Sequence, residues 1–229
     1  MAVGVRLSAD GVGLGFGGLG AGRLRHSAAW LLLCALAAGG ALAVAALAGW
    51  RGADPGLPNA LRWQPELAVT EPWRCISAAW VHLSRQHLIA NLGGSALVAA
   101  LGLVAGCGGR ATLAWALAWP LSHLGLLLQP TLTAYGGLSG LMHAGVAVAC
   151  VQVIRAERGQ RRWTGAALLA GVLVKLWLEA AWTGPLRLVP GWDFAIAPAA
   201  HASGVVAGLL CAGATSVGQN AGWGGRRRP

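Results

Sequence analysis

Between Ala111 and Ile154 the chain runs for 44 residues without an Asp, Glu, Lys or Arg. A helix that crosses the hydrocarbon layer needs about 20 predominantly apolar residues. The stretch is therefore two membrane spans and a turn. The turn is expected between Gln129-Pro130 and Gly136-Gly137, where proline and paired glycines interrupt helix. Composition agrees, with 56% hydrophobic residues, 10% charged residues and a mean hydropathy of +0.60. Soluble domains carry about 25% charged residues, so a soluble globular enzyme, a disordered tail and a nucleic-acid module are all excluded. The net charge of +10 and pI near 11.2 would suit nucleic acid. Here, however, the arginines cluster between apolar runs, so the partner is a lipid bilayer.

The remaining chain supplies four more spans. Residues 1–27 are Gly-rich and read as a flexible basic leader. Ala28 to Trp50 is uncharged and makes a first helix. Ala46-Leu47-Ala48 resembles a signal-peptide cleavage site, but the apolar run is longer than such peptides use. Arg51 to Arg74 is the longest polar connection, with Trp63 and Trp73 expected at headgroup level. A second helix is predicted from Gln86 to Gly106, a fifth from Trp163 to Ala180 and a sixth from Ala199 to Val217. The fold class is thus an all-α membrane protein, a six-helix bundle over residues 28–217 with a basic tail at 218–229. Five single cysteines, Cys34, Cys75, Cys107, Cys150 and Cys211, read as small buried hydrophobes.

Charge orients the bundle. Six spans place Arg6, Arg23, Arg25, Arg110, Arg155, Arg158, Arg161, Arg162 and Arg226 to Arg228 on one side. The opposite loops hold Arg51, Arg62, Arg74 and Arg187, balanced by Asp54, Glu66, Glu71 and Asp193. The positive-inside rule then puts both termini in the cytoplasm of a bacterial cell, with the other loops facing the periplasm.

Polar groups inside a membrane are costly and usually functional. They concentrate in three places: His82 to Asn91 on the second helix, Gly136 to His143 opening the fourth, and His201 to Gly208 on the sixth. Ser139 after a Gly-rich turn is a good helix N-cap, and His201 alone is explained by a polar neighbour. Together they read differently. A serine nucleophile needs a base within reach, and Gly204 and Gly208 share the side of the sixth helix that carries His201. Small residues let helix backbones approach closely, and Gly140 with Ala144 offers a matching stripe beside Ser139. A Ser-His dyad between helices four and six follows. The Ser139 amide at a helix N-terminus, with His87 and Asn91 one helical turn apart, would supply donors to an oxyanion. No carboxylate is placed to orient His201, since Asp193 falls in the preceding loop.

These patches resemble the rhomboid family of intramembrane serine proteases, from about Trp73 to Gly208. Trp73-Arg74 looks like the family's first-loop Trp-Arg pair; His82, His87 and Asn91 fit His-x4-His-x3-Asn. Gly137-Leu138-Ser139-Gly140 fits Gly-x-Ser-Gly, and Ala200-His201 with Gly204 and Gly208 fits Ala-His-x2-Gly-x3-Gly. The resemblance implies Ser139 as nucleophile, His201 as general base and acid, His87 and Asn91 as oxyanion donors, and no cofactor or metal. His143, four residues after Ser139, makes the segment most similar to the rhombosortase branch, with Met142 where leucine and Ala144 where glycine is usual. That branch implies transmembrane substrates bearing a C-terminal Gly-Gly motif, an apolar helix and a basic end, cut near the periplasmic end of the helix.

Two other classes stay open on the residues alone. His82, His87, His123, His143 and His201 could belong to a metal or haem membrane protein, although HExxH is absent. A non-catalytic relative that binds transmembrane clients would keep the fold without the chemistry. Lys175 and Glu179 read as an i, i+4 ion pair, and His123 beside Pro120 as structural.

Overall fold

The computed structural model describes residues 20–49 and 56–217. The first nineteen residues, Arg51, Asp54 and the tail with Arg226, Arg227 and Arg228 lie outside the described residues. The described residues form α1 (Ala21–His26), α2 (Ala28–Leu47), α3 (Gly56–Leu61), α4 (Arg74–Ser77), α5 (Arg85–Ala105), α6 (Gly109–Leu124), α7 (Ser139–Ala156), α8 (Gly159–Glu179) and α9 (Pro198–Val217). The end of the expected leader is thus a short helix, and His26 Nε2 lies 3.2 Å from Gly106 O at the far end of α5.

Local chemistry sets the helix ends. Ser84 caps α5 by accepting from the His87 amide at 3.0 Å, satisfying one of the first-turn donors. At its other end Gly106 turns left-handed, with φ +63°, and Cys107 N donates to Gly102 O. α6 tightens into a 3-10 turn at Gly125–Leu128 before the predicted break, and α7 starts at Ser139 just after Gly136-Gly137. Pro198 opens α9, a position where its missing N–H costs nothing.

α7 stands at the centre, with α5, α6, α8 and α9 around it, and α2 packs on α5 and α6. Among the described residues, five helical segments are long and apolar enough to cross a membrane: Ala28–Leu47, Arg85–Ala105, Gly109–Leu128, Ser139–Ala156 and Pro198–Thr215. The one expected span left over, the fifth in chain order, is α8, which has 21 residues, about 30 Å of helix at 1.5 Å per residue. It carries Arg161, Arg162, Lys175 and Glu179, and this charge keeps it out of that set.

The core is built from tryptophans and small residues. Trp30 of α2 stacks on Trp115 of α6 with centroids 4.4 Å apart. Both indoles donate to backbone carbonyls, Trp30 to Val98 O at 3.0 Å and Trp115 to Leu141 O at 2.8 Å. A tryptophan fills a core only where its N–H is satisfied, and here each N–H also ties two helices together. Gly102 passes so close to the Trp30 ring that a Cβ there would overlap it.

The first loop folds inward at Trp63, which is fully buried in the protein, whereas Trp73 is exposed. The cause is backbone pairing: Trp63 and Tyr135 exchange both N–H···O bonds, at 2.8 and 2.9 Å, drawing the loop onto the segment before Ser139. Arg74 staples the same loop. Its guanidinium donates to Asn59 O at 2.7 Å and Arg62 O at 2.9 Å and pairs with Glu71.

Candidate active site

The four candidate residues meet at one cavity of about 390 Å³, bounded by α5, α7, α8, α9 and the loop before α9. Ser139 comes from the start of α7, His201 from α9, and His87 and Asn91 from one face of α5. The lining is mainly apolar, including Leu83, Met142, Phe194 and Ile196, so the polar groups are few and individually placed.

The seam between α7 and α9 brings Ser139 and His201 to the same level. A Cβ at Gly204 would overlap Gly140 O, and one at Gly208 would sit 2.5 Å from Ala144 O. Glycine on α9 thus faces the backbone of α7, in the pairing its small-residue stripe suggests.

Ser139 is the first residue of α7, and Leu138 occupies the N-cap position without a side-chain cap. The expected capping bond is therefore absent, and the Ser139 hydroxyl faces the cavity. Its Oγ lies 3.4 Å from Tyr135 Oη, which donates to Gly137 O at 3.1 Å. Tyr135 sits in the loop before α7, where burial pushes its phenol pKa upward and keeps it protonated. No hydrogen bond joins Ser139 to His201 among the described residues. They are connected instead through His143, which lies 2.7 Å from Ser139 O through Nδ1 and stacks on the His201 ring at 4.2 Å.

His87 and Asn91 converge on the glycine turn before the serine. Leu83 N donates to His87 Nδ1 at 3.4 Å, which assigns the ring proton to Nε2. Phe194 stacks on this ring at 4.1 Å and holds its plane. Gly137 has φ +138°, a region open to glycine, and a Cβ there would lie 2.8 Å from His87 Nε2 and 3.6 Å from Asn91 Nδ2. Asn91 Nδ2 is buried without a hydrogen-bond partner. An unsatisfied buried donor is costly, and this one points toward the turn that carries Ser139.

One expectation is overturned. A carboxylate does face His201: Glu179 Oε2 lies 2.8 Å from His201 Nδ1. The expected Lys175–Glu179 pair is also present, with Nζ 2.7 Å from Oε1, so the carboxylate has one oxygen on each partner. Lys175 Nζ itself is 3.3 Å from His201 Nδ1. Asp193 is engaged elsewhere, accepting from Ser84 Oγ at 2.6 Å. His123 is fully buried in α6, with Nδ1 3.3 Å from Trp119 O and Nε2 without a hydrogen-bond partner. Phe194, Tyr135 and Glu179 were not among the expected site residues. Of these only Glu179 had a sequence signal, a charge at the outer end of a span at the level of His201.

A family model for the Rhomboid domain matches residues 69–217, which is most of the chain. The chain belongs to the rhomboid family. Rhomboids are generally serine proteases that cleave membrane proteins within the bilayer, and this rhomboid is a multi-pass membrane protein with an all-helical fold. The match begins four residues before Trp73 and ends with α9, so it contains every residue of the cavity wall discussed above. No curated protein matches the sequence.

Proposed function

We propose that this rhomboid is an active intramembrane serine endopeptidase in which Ser139 is the nucleophile and His201 the general base. The observation that carries the reading is Asn91 Nδ2, a buried donor without a partner, aimed with His87 Nε2 at the turn before Ser139. A donor held this way gains its bond when charge develops on a substrate oxygen, which is how an oxyanion hole favours the transition state over the ground state.

In the proposed reaction Ser139 Oγ attacks the scissile carbonyl carbon while His201 Nε2 takes the hydroxyl proton. His87 Nε2–H, Asn91 Nδ2–H and the Ser139 backbone N–H, which the helix leaves unpaired in its first turn, receive the oxyanion. The intermediate collapses as His201 returns the proton to the leaving amine. Water then hydrolyses the acyl-enzyme with His201 again as base. Catalytic hydrogen bonds are often long before substrate binds and tighten in the complex, which accommodates the present separation of Ser139 and His201.

In this reading α8 also crosses the membrane and completes six spans, both termini are cytoplasmic and the cavity opens toward the periplasm, as the arginine distribution supports. The substrate is a membrane protein whose C-terminal tail carries Gly-Gly, an apolar helix and a basic end, the pattern suggested by His143 and its neighbours. Glycines let the substrate helix unwind and present a carbonyl, where an intact helix would keep it bonded internally.

The missing Ser139–His201 hydrogen bond is the one observation that favours a client-binding protein without catalysis. Cleavage of a reconstituted Gly-Gly-tailed substrate, with products located by mass spectrometry, separates the readings. Ser139→Ala and His201→Ala are expected to abolish cleavage while the protein remains folded. Near-normal cleavage by Ser139→Ala would overturn the serine mechanism, and a cut at the cytoplasmic end of the substrate helix would overturn the topology and substrate assignment.

A further inference from the structure

The geometry points to Glu179 as a positioning residue that completes a Ser139-His201-Glu179 relay, supplied by α8 from outside the seam that holds the other two members. The inference rests on the proposed role of His201 as base. It assigns a function to a charge that an intrahelical ion pair alone does not explain.

An ion pair with Lys175 uses only Oε1 of Glu179, at 2.7 Å. The other oxygen, Oε2, is directed across to α9 and lies 2.8 Å from His201 Nδ1. Lys175 Nζ also approaches Nδ1, at 3.3 Å, so two arrangements of protons compete. In one, Lys175 donates to a bare Nδ1 and the ring proton sits on Nε2, which would face Ser139 with a proton already in place and no basicity. In the other, Nδ1–H donates to Glu179 and Nε2 is the bare nitrogen that a base requires. The distances favour the second. The carboxylate contact is the shorter, and an ionised carboxylate only accepts, so it demands a proton from Nδ1. Lys175 already donates to the same carboxylate, which holds Glu179 in its charged form beside the ring.

The arrangement also serves the step itself. When Nε2 takes the Ser139 proton the ring becomes an imidazolium with Lys175 3.3 Å away, and that repulsion opposes proton transfer. Glu179 lies closer than Lys175 and carries the opposite charge, so it offsets the repulsion while the cation exists. His143 covers the ring face at 4.2 Å and restricts rotation about χ2, so the Nδ1 edge stays on Glu179. These are the two duties of the third member of a catalytic triad: fixing the tautomer and stabilising the charged ring.

Two measurements test this. Glu179→Gln keeps the shape and removes the charge. It is expected to lower kcat by about 100- to 10,000-fold, the range over which a general base acts, with KM little changed, as for a group that acts through His201 rather than on substrate. Lys175→Gln, which leaves Glu179 on His201, is expected to lower kcat far less. Equal losses in the two variants would mean that only the ion pair matters, and wild-type kcat in Glu179→Gln would overturn the inference directly. The second measurement needs no altered Glu179. Nitrogen NMR of the wild-type protein, with His201 assigned by comparison with His201→Ala, is expected to find the ring proton on Nδ1. A proton on Nε2 would overturn the relay even if Glu179→Gln failed to fold. Ser139→Ala assayed in parallel keeps the failures apart: if it is inactive while Glu179→Gln is not, the protease reading stands and only this inference falls.

Discussion

α9 and α8 both reach the active site, yet they are held to α7 in opposite ways. Along α9 the glycines at 204 and 208 meet the backbone of α7 with no side chain between them. α8 buries only Gly165 and turns most of its length outward, with Trp163, Val174, Trp177 and Leu178 exposed. Lipid tails are as apolar as leucine, so helices associate in a membrane by close packing rather than by escape from water. By that measure α9 is firmly seated and α8 lightly. The proposed nucleophile and base sit on the firm pair, where a small displacement would cost most. The carboxylate that faces His201 comes from the lightly seated helix, whose end is also held by Arg187, donating to Leu178 O and Glu179 O.

Breaking the seam is the strongest test of this contrast. Gly204→Val is expected to prevent folding or lower stability by about 3 kcal/mol or more, at or past the top of the usual range for overpacking. The collision is with the Gly140 backbone, which no rotamer change relieves. Thermal unfolding in detergent would show it, and a Tm within a few degrees of wild type would mean the helices are not locked there. On α5, which carries donors but no part of the seam, the expected losses are in turnover rather than stability. Asn91→Ala and His87→Ala should each lower kcat by about 100- to 1000-fold in protein that still unfolds cooperatively. Wild-type rates in both would remove them from the mechanism.

On α8 the effects shrink. Gly165→Ala puts a methyl 2.9 Å from Val153 Cγ1, 3.0 Å from Val153 Cβ and 3.3 Å from Cys150 O, and should cost about 1 to 2 kcal/mol, less than the direct backbone collision at Gly204. Gly171 has nothing within 4 Å of a Cβ, so Gly171→Ala should be neutral or stabilise by up to about 1 kcal/mol as a helix-interior glycine is replaced. The same unfolding measurement checks both. A large loss at Gly171 would show that α8 has a packing partner on its outer face and would erase the contrast with α9.

Much of this was legible in the residues alone. Uncharged runs predict spans because the bilayer admits little else, and α5, α7 and α9 begin within a residue or so of the expected places. Ser139, His201, His87 and Asn91 stood out because polar groups in apolar runs are few. Three features were hidden, for one physical reason. The burial of Trp63, the contact of Tyr135 with Ser139 and the reach of Glu179 to His201 all depend on how distant segments face each other. Sequence spacing reports neighbours on one helix, which is why Lys175 and Glu179 read as a pair. It is silent on which way the second oxygen of the carboxylate turns.

In the proposed mechanism the glycine at 137 keeps the oxyanion position open. Where an alanine would carry its methyl, the two proposed oxyanion donors already converge, at 2.8 Å for His87 and 3.6 Å for Asn91. A methyl there would act as a tethered plug, occupying from within the enzyme the ground an incoming oxygen has to take. The same measure describes an inhibitor from without. A warhead that presents one small, electron-rich atom at this point is expected to meet the proposed donors, and one that leads with a branched carbon to clash with the His87 ring.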